Sequence, residues 1–299
     1  MVLYLRKINL TRTALEDYKL DITYGNWEDP LMNDKFPQVI YKYRDWSISH
    51  HRKSLFNCEI WFSAPKQLND PYDIRIPIQF DYREVEHPDF IKSIQKVMPF
   101  VYPEARPGSY EYKIISENFH ELIKESPKSW FEKNLELLRE NEMFDVYGVF
   151  SASNSCLLAL MWGYYANGGQ GICLGFDPNE IKRALKCGFG NAMYIGTPIV
   201  HSLLKGVQVF DILHLFIKGE AWSHEEEFRV ITFVENDTER LIRLPPKALK
   251  KVILGYKISD EDKSEVIRCL KDVYHSQVKL YQIVPELTGF KFKKKEVSY

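Results

Sequence analysis

The chain has 299 residues, of which 45% are hydrophobic and 14% aromatic, so it can bury a substantial core. A formal net charge of -1 excludes a strong overall field that would attract nucleic acid or an anionic membrane. The five cysteines include no C-x-x-C pair, which argues against a disulfide framework and a structural zinc site. No apolar run approaches the roughly 20 residues that span a bilayer, so we expect a cytoplasmic protein with no membrane partner.

Hydrophobic periodicity and turn-forming residues predict an α+β chain. We expect residues 1–36 to be an N-terminal extension, residues 37–290 a single domain, and residues 291–299 a solvated basic tail. Prolines divide the helical spacing of about 88–142 into pieces, which indicates a helical insertion. The other predicted strands cover residues 39–44, 59–64, 74–80, 146–151, 171–176, 251–255 and 278–284, and a hairpin is predicted from 227–234 and 239–244. The other predicted helices are one that ends near 57 and those at 156–167, 178–186 and 260–274, with a further helical segment at 199–219.

Two serines stand at the end of the strand predicted from residue 146. Ser151 and Ser153 are two positions apart, so their side chains share a face of an extended chain. The helix predicted next carries Trp162 and Tyr165 at helical spacing. These residues form either a binding site or an ordinary helix cap followed by core aromatics.

Three consecutive glutamates, Glu225 to Glu227, precede an apolar strand that also contains Arg229. In an extended chain Glu225, Glu227 and Arg229 share one face. Because adjacent carboxylates are costly to bury together, at least one should face a cleft, a cation or Arg229 itself. The alternative is a salt-bridged edge strand beside a solvated acidic turn.

Arg44 ends the first predicted strand, where its planar guanidinium suits a diphosphate or a carboxylate. The alternative is a surface ion pair. The turn at 69–73 is interpreted first as a structural Asx turn, although Asp70 and Asp73 are carboxylates of the kind a metal-dependent nuclease uses. Since no histidine has an identifiable ligand partner, we predict no metal site.

Four landmarks follow one another in the chain: KYR at 42–44, NDPYD at 69–73, MWGYYANGGQG at 161–171 and W-x-x-E-x-E-F-R at 222–229. Together they resemble an uncharacterised bacterial domain-of-unknown-function family over about residues 40–255. Arg44, the serines at 151 and 153, and the glutamates at 225 and 227 are similar to the motifs of arginine–serine–glutamate ADP-ribosyltransferases. This second resemblance implies a mixed, mostly antiparallel split sheet like the core of those enzymes.

The same resemblance implies NAD-dependent ADP-ribosyl transfer to an unknown macromolecule, in the setting of a toxin or an anti-phage effector. Glu227 would stabilise the oxocarbenium-like ribose, Glu225 would position or deprotonate the acceptor, and Ser151 would orient the ribose and Glu227. NAD is the substrate, and nucleic acid enters only as an acceptor. The residues implied to bind NAD are Arg44, Tyr43, Ser153, Trp162 and Tyr165.

Two other functions stay open at this point. One is a non-catalytic module that binds a small ligand or a partner through Trp162, Tyr164 and Tyr165. The other is a metal-dependent nuclease that uses Asp70, Asp73 and the acidic triplet. The first predicts binding without turnover, and the second predicts metal-dependent cleavage of DNA or RNA.

Overall fold

The computed structural model describes residues 37–101, 104–140, 146–205, 215–234 and 236–299, and the N-terminal extension predicted for residues 1–36 lies outside these ranges. The described chain is a mixed α+β protein whose largest sheet is mostly antiparallel. The strands are β1 Ile40–Arg44, β2 Glu59–Trp61, β3 Ile78–Phe80, β4 Tyr147–Ser153, β5 Ile172–Phe176, β6 Gly188–Asn191, β7 Met193–Ile195, β8 Ile199–His201, β9 Ile217–Gly219, β10 Glu227–Phe233, β11 Leu241–Arg243, β12 Leu249–Leu254, β13 Lys279–Pro285 and β14 Phe292–Glu296. The α-helices are α1 Ser49–Phe56, α2 Phe90–Val101, α3 Tyr110–Glu125, α4 Pro127–Glu140, α5 Ala159–Tyr165, α6 Pro178–Ala184 and α7 Asp260–Asp272. Within the described ranges, no helix has both the length and the apolar composition needed to cross a membrane.

The chain divides into two compact units. The first contains the described residues of 70–144 and 195–217, and the second contains those of 37–69, 145–194 and 218–299. The first unit holds α2, α3 and α4, which occupy the region predicted as a helical insertion, together with a parallel pair of β3 and β8. Its core combines aliphatic with aromatic side chains and includes Phe80, Phe90, Met98, Tyr112 and Phe131.

The second unit is built on an eight-stranded sheet in the order β14-β13-β12-β5-β1-β4-β10-β6. Only the β12–β13 pair is parallel among these neighbours. One face packs on α7 through Val266 and Leu270, and the other packs on α5 through Met161 and Trp162. Because both faces are covered, β5 is buried along its whole length and reads as a continuous apolar strand.

The central strands β1 and β4 separate at Ser151. Tyr41 of β1 pairs with Ser153, whereas Val149 pairs on the same side of β4 with Ser63, two residues beyond the end of β2. Backbone groups of alternate strand residues point the same way, so the carbonyl of Ser151 faces the gap between these two partners. The sheet therefore opens beside Ser151.

Three sequence predictions differ from the structure. The helical prediction for 199–219 is wrong in the described part, because Ile199 and Val200 are β-branched and pair with β3. The predicted hairpin is also wrong, since Asn236 caps a 3₁₀ helix and β11 pairs with β2 instead of β10. Residues predicted as a solvated basic tail form the edge strand β14, whose lysines remain exposed.

Gly171 lies just before β5 and packs closely against the backbone of Arg44 and Ala166. An ideal Cβ at Gly171 would lie 2.1 Å from the carbonyl oxygen of Arg44, so any side chain must push the backbone of β1. We expect Gly171→Ala to lower the free energy of unfolding by about 1–3 kcal/mol. Gly163→Ala is the matched control, because Gly163 is an exposed helical position with nothing within 4 Å of its Cβ. That control should gain about 0.5–1 kcal/mol, and equal effects of both changes in urea unfolding would contradict the argument.

Candidate functional site

Two glutamates and two basic side chains form a buried charged cluster in the second unit. Lys218 Nζ lies 2.5 Å from Glu225 Oε2 and 3.0 Å from Glu227 Oε2, so one ammonium group bridges both carboxylates. Arg229 Nε lies 2.8 Å from Glu227 Oε1, and its Nη2 lies 3.1 Å from Glu227 Oε2. None of the four residues is more than 4% exposed, so the cluster is shielded from water.

A change of chain direction before β10 brings the two glutamates together. A 3₁₀ helix at Glu220–Glu225 ends at Glu226, whose φ of 44° is a left-handed conformation that non-glycine residues rarely adopt. The Glu226 side chain is exposed, whereas Glu225 and Glu227 on either side of it are buried. The hydroxyl of Ser153 fixes this turn by donating to the carbonyl of Glu225 at 2.7 Å.

The cluster keeps Glu227 ionised. Burial alone would raise the pKa of Glu227, but the positive charges of Arg229 and Lys218 outweigh it. Hydrogen bonds from Arg229 and from the Ser151 side chain act in the same direction, and the pKa of Glu227 falls to about 2. Two carboxylates and two cations cancel in charge, which is the condition under which such groups are tolerated in a protein interior.

Ser151 lies beside this cluster on β4. It is directly opposite Arg229 in the antiparallel pair of β4 and β10, so the two side chains share a face of the sheet. Arg229 in turn holds Glu227, so Ser151 stands beside that carboxyl and helps to lower its pKa. The structure thus brings together the three residues predicted to be catalytic, Ser151, Glu225 and Glu227.

A hydrogen-bonded path connects the cluster with the surface. Tyr165 Oη donates to Glu225 Oε1 at 2.6 Å and accepts from Nδ2 of the exposed Asn69 at 2.8 Å. Burial, followed by the hydrogen bond to Glu225 and its charge, raises the pKa of Tyr165, so the hydroxyl stays protonated. Tyr165, predicted to bind NAD, is half-buried and touches the cluster directly.

Tyr43, Ser153 and Trp162, which the resemblance to ADP-ribosyltransferases implied to bind NAD, lie in the core. Trp162 is 1% exposed, donates from Nε1 to the carbonyl of Cys156 at 2.9 Å, and packs edge-on against Tyr43. Tyr43 Oη donates to the carbonyl of Ser155 at 2.9 Å. Ser153 is fully buried and its hydroxyl is occupied by the turn before β10. A buried ring offers no accessible surface to a ligand, and a hydroxyl that already donates a hydrogen bond has no second donor. These residues are therefore better assigned to packing.

Arg44 lies apart from the cluster. Tyr41, Ser153 and Glu227 are directly opposite one another on β1, β4 and β10, so they share one face. Arg44 is three positions from Tyr41 and belongs to the other face. Among the described contacts, none joins Arg44 to Ser151 or Glu227. A ligand that contacts both Arg44 and Glu227 must therefore pass through the opening between β1 and β4.

Sequence reasoning missed two lysines. Lys218, which bridges both glutamates, lay in a segment predicted to be helical, and no spacing rule connects it to Glu225. Lys42 donates from Nζ to the carbonyl of Ser151. Its ammonium group thus takes the place of the backbone N–H that a neighbouring strand would supply at the opening. Its alternation with Arg44 in an apolar strand was a usable signal, because it places two cations on one face.

Asp70 and Asp73, considered above as metal ligands, are both buried. Asp70 Oδ1 accepts from the backbone N–H of Tyr72 at 2.9 Å, as in the Asx turn that was the first interpretation of this segment. Across the described ranges, no group of three or more His, Cys, Asp or Glu side chains is placed to hold a metal ion. The acidic residues of this turn are thus assigned to local structure.

Comparisons with protein-family models, curated proteins and solved structures found no match for this chain. Both resemblances drawn from the sequence motifs therefore remain predictions. Function has to be argued from the geometry and chemistry of the site itself.

Proposed function

We propose that this chain cleaves NAD and transfers ADP-ribose to a macromolecular acceptor, or to water in the related glycohydrolysis. The placement of Ser151 beside the ionised Glu227 carries the proposal, because Ser151 lies directly opposite Arg229, whose guanidinium holds both oxygens of Glu227. That pairing is the one implied by the resemblance to arginine–serine–glutamate ADP-ribosyltransferases. Cleavage of a glycosidic bond builds positive charge on the ribose, and an ionised carboxylate is the group that stabilises such charge.

In the proposed reaction, the bond between ribose C1′ and the nicotinamide nitrogen breaks, and its electron pair leaves with nicotinamide. Glu227 stabilises the oxocarbenium-like ribose while Ser151 holds the Glu227 carboxylate in position. A nucleophilic atom of the acceptor then bonds to C1′, and Glu225 accepts the proton that this atom loses. The half-buried ring of Tyr165 stands beside Glu225 and supplies a surface for the nicotinamide. An enzyme that modifies macromolecules in this way suits a toxin or an anti-phage effector.

The charge balance of the cluster supports a second candidate, a non-catalytic module that binds a small ligand or a partner. Both carboxylates have cationic partners and neither is more than 4% exposed, which also suits a purely structural network. Tyr164, which is 67% exposed, adds accessible aromatic surface on the helix that carries Tyr165. Such a module binds its ligand without turning it over.

Nicotinamide release separates the two candidates. Purified protein with NAD, tested with and without cell lysate as a source of acceptors, is expected to release nicotinamide. Glu227→Gln and Ser151→Ala should each lower the rate at least about 100-fold, because the first removes the charge that stabilises the transition state and the second removes the side chain that positions it. Glu226→Gln is the matched control, since this neighbouring carboxylate is exposed.

Ser151→Ala is included because it removes no charge from the buried cluster and therefore preserves the fold better than Glu227→Gln. If wild-type protein releases no nicotinamide and calorimetry shows no binding of NAD, the transferase proposal fails and the binding module is left. If both variants keep full activity, the cluster has no part in the chemistry.

A further inference from the structure

A basic surface lies near one edge of the eight-stranded sheet. Lys251 on β12 is directly opposite Lys279 on β13, so these two side chains share a face. Lys294 on β14 is opposite Ile283, which stands an even number of positions after Lys279 and therefore lies on the same face. Three adjacent strands thus present one lysine each on a single face of the sheet.

These lysines lack counterions in the described part of the chain. There the three make no ion pair, including none with Glu296, which alternates with Lys294 on β14. Burial lowers the pKa of Lys251, and the charge of Lys294 lowers it further. Lys279 acts in the same direction, and the Cys156 thiol opposes it. Like charges opposite one another destabilise a sheet, so a bound anion would relieve a standing repulsion.

Protection of an open sheet edge explains only part of this pattern. Lysines on an edge strand prevent two sheets from pairing, which accounts for the lysines of β14. Lys251 instead belongs to β12, which pairs with β5 on one side and β13 on the other. A strand inside the sheet has no edge to protect, so the placement of Lys251 opposite Lys279 has another cause.

Aromatic rings lie between the lysines. Lys294 Nζ is 5.3 Å from the centre of the Tyr281 ring. Lys257 Nζ is 5.2 Å from the centre of the Tyr256 ring, which in turn packs against the half-buried Phe292 of β14. Rings interleaved with cations are typical of surfaces that bind single-stranded nucleic acid.

The surface is elongated along the strands. Lys279 begins β13, and Phe290 lies in the loop after the other end of that strand, about 20 Å away. Phe290 is fully exposed although it is large and apolar. An elongated polyanion can contact the lysines and this ring together. A small anion is too short to do so, and a flat lipid surface at the loop would leave Lys251 and Lys279 without a partner.

We propose that the face of β12, β13 and β14 that carries Lys251, Lys279 and Lys294 binds single-stranded nucleic acid. The lysines contact phosphates along the strand, and Phe290 stacks on a base. The formal net charge of -1 does not oppose this binding, because cations act on phosphates within a Debye length of about 8 Å.

The same face of the sheet holds the candidate site. Residues opposite one another form a row across six strands, from Lys279 through Lys251, Gly175, Tyr41 and Ser153 to Glu227. Lys251 and Glu227 are about 19 Å apart in this row at the usual spacing of strands. The identification of the bound strand as the acceptor of ADP-ribose rests on the proposed function, whereas its binding does not.

Fluorescence anisotropy of a labelled oligothymidylate, measured without NAD, tests this surface. Wild type is expected to bind at low salt, with a slope of log K against log salt concentration of about -2 for three phosphate contacts. The double variant Lys279→Gln with Lys294→Gln should bind at least about tenfold more weakly and lose more than half of that slope. Lys53→Gln with Lys271→Gln is the matched control, since both lysines are exposed in the same unit and the net charge changes equally. That control should bind as wild type.

Two exposed residues of the loop distinguish a nucleic acid from a lipid surface. Phe290→Ala should weaken binding of oligothymidylate by about fivefold or more because it removes a stacking ring, whereas Leu287→Ala should bind as wild type. Both side chains are fully exposed, so neither change should alter thermal unfolding. Insertion of the loop into a membrane would need both side chains, and vesicles of phosphatidylserine and phosphatidylcholine measure it.

Three results would overturn this surface: no binding of oligothymidylate by wild type at low salt, equal losses in the two double lysine variants, or vesicle binding that depends on both Leu287 and Phe290. The proposed function is judged separately. Ser151→Ala should keep binding of oligothymidylate while losing nicotinamide release. Oligothymidylate binding that depends on Lys279 and Lys294, in a protein that never cleaves NAD, would keep the surface and remove the transferase.

Discussion

Replacement of Arg229 by methionine is expected to lower the free energy of unfolding by about 3–5 kcal/mol, among the largest effects of any single change in the cluster. Arg229 is fully buried and holds both oxygens of Glu227. Its loss leaves one buried cation, Lys218, facing two buried carboxylates. Urea unfolding of wild type and Arg229→Met measures this difference.

A second arginine pair is the control for this experiment. Arg243 lies 2.9 Å from Glu59, but its side chain is 72% exposed. Because water screens such a pair, Arg243→Met should cost less than about 1 kcal/mol. A similar small loss for Arg229→Met would show that Glu227 does not depend on Arg229.

The double variant Glu227→Leu with Arg229→Met separates the cost of an unpaired charge from the value of the pair. It removes one charge of each sign and leaves Lys218 paired with Glu225, so the interior stays neutral. It should therefore be more stable than Arg229→Met alone. If the double variant is the less stable of the two, shape and packing at these positions matter more than charge.

Local sequence patterns predict several central elements of this fold and the glutamates of its candidate site. The β-branched and aromatic run before Arg44 forms β1, and the sequence after Ser259 forms α7, close to the predicted ends. At least one glutamate of the acidic triplet was expected to face a cleft, a cation or Arg229, and Glu227 pairs with both Arg229 and Lys218. The shared face expected for an extended chain does not apply to Glu225, which lies in the 3₁₀ helix before β10.

Partners that are distant in sequence explain most of the differences. Ile199 and Val200 form a strand because β3, more than a hundred positions earlier, pairs with them. Asn236 and Asp237 are ordinary hairpin signals, yet β11 pairs with β2. Local propensity cannot choose between such partners, since packing and burial decide the pairing.

The same limit applies to the site residues. Trp162 and Tyr165 stand on one helix, and periodicity alone could not show that one fills the core while the other contacts Glu225. Lys218 on β9 contacts both glutamates through its side chain, and no local spacing rule predicts that contact. The opening of the sheet at Ser151 likewise depends on Ser63, which replaces β1 as the partner of Val149.

Acid is expected to destabilise the wild-type protein through Glu227. The pKa of this carboxyl is about 2 in the folded chain, below its usual value of 4.5, so the unfolded chain binds the proton first as the pH falls. The stabilisation is fully present above pH 4.5 and is lost as the pH falls toward 2. Linkage sets its size at about 3 kcal/mol for a buried group with this difference.

Comparison with the double variant Glu227→Leu and Arg229→Met isolates this contribution. Glu59 and Glu180 also have lowered pKa values, mainly through hydrogen bonds to Arg243 and Lys247, but they are present in both proteins and cancel. Urea unfolding between pH 5 and pH 2.5 should therefore show a steeper loss of stability in wild type than in the double variant. Parallel curves would mean that Glu227 is not held ionised by Arg229 and Lys218, and the carboxylate on which the proposed chemistry depends would lose its physical basis.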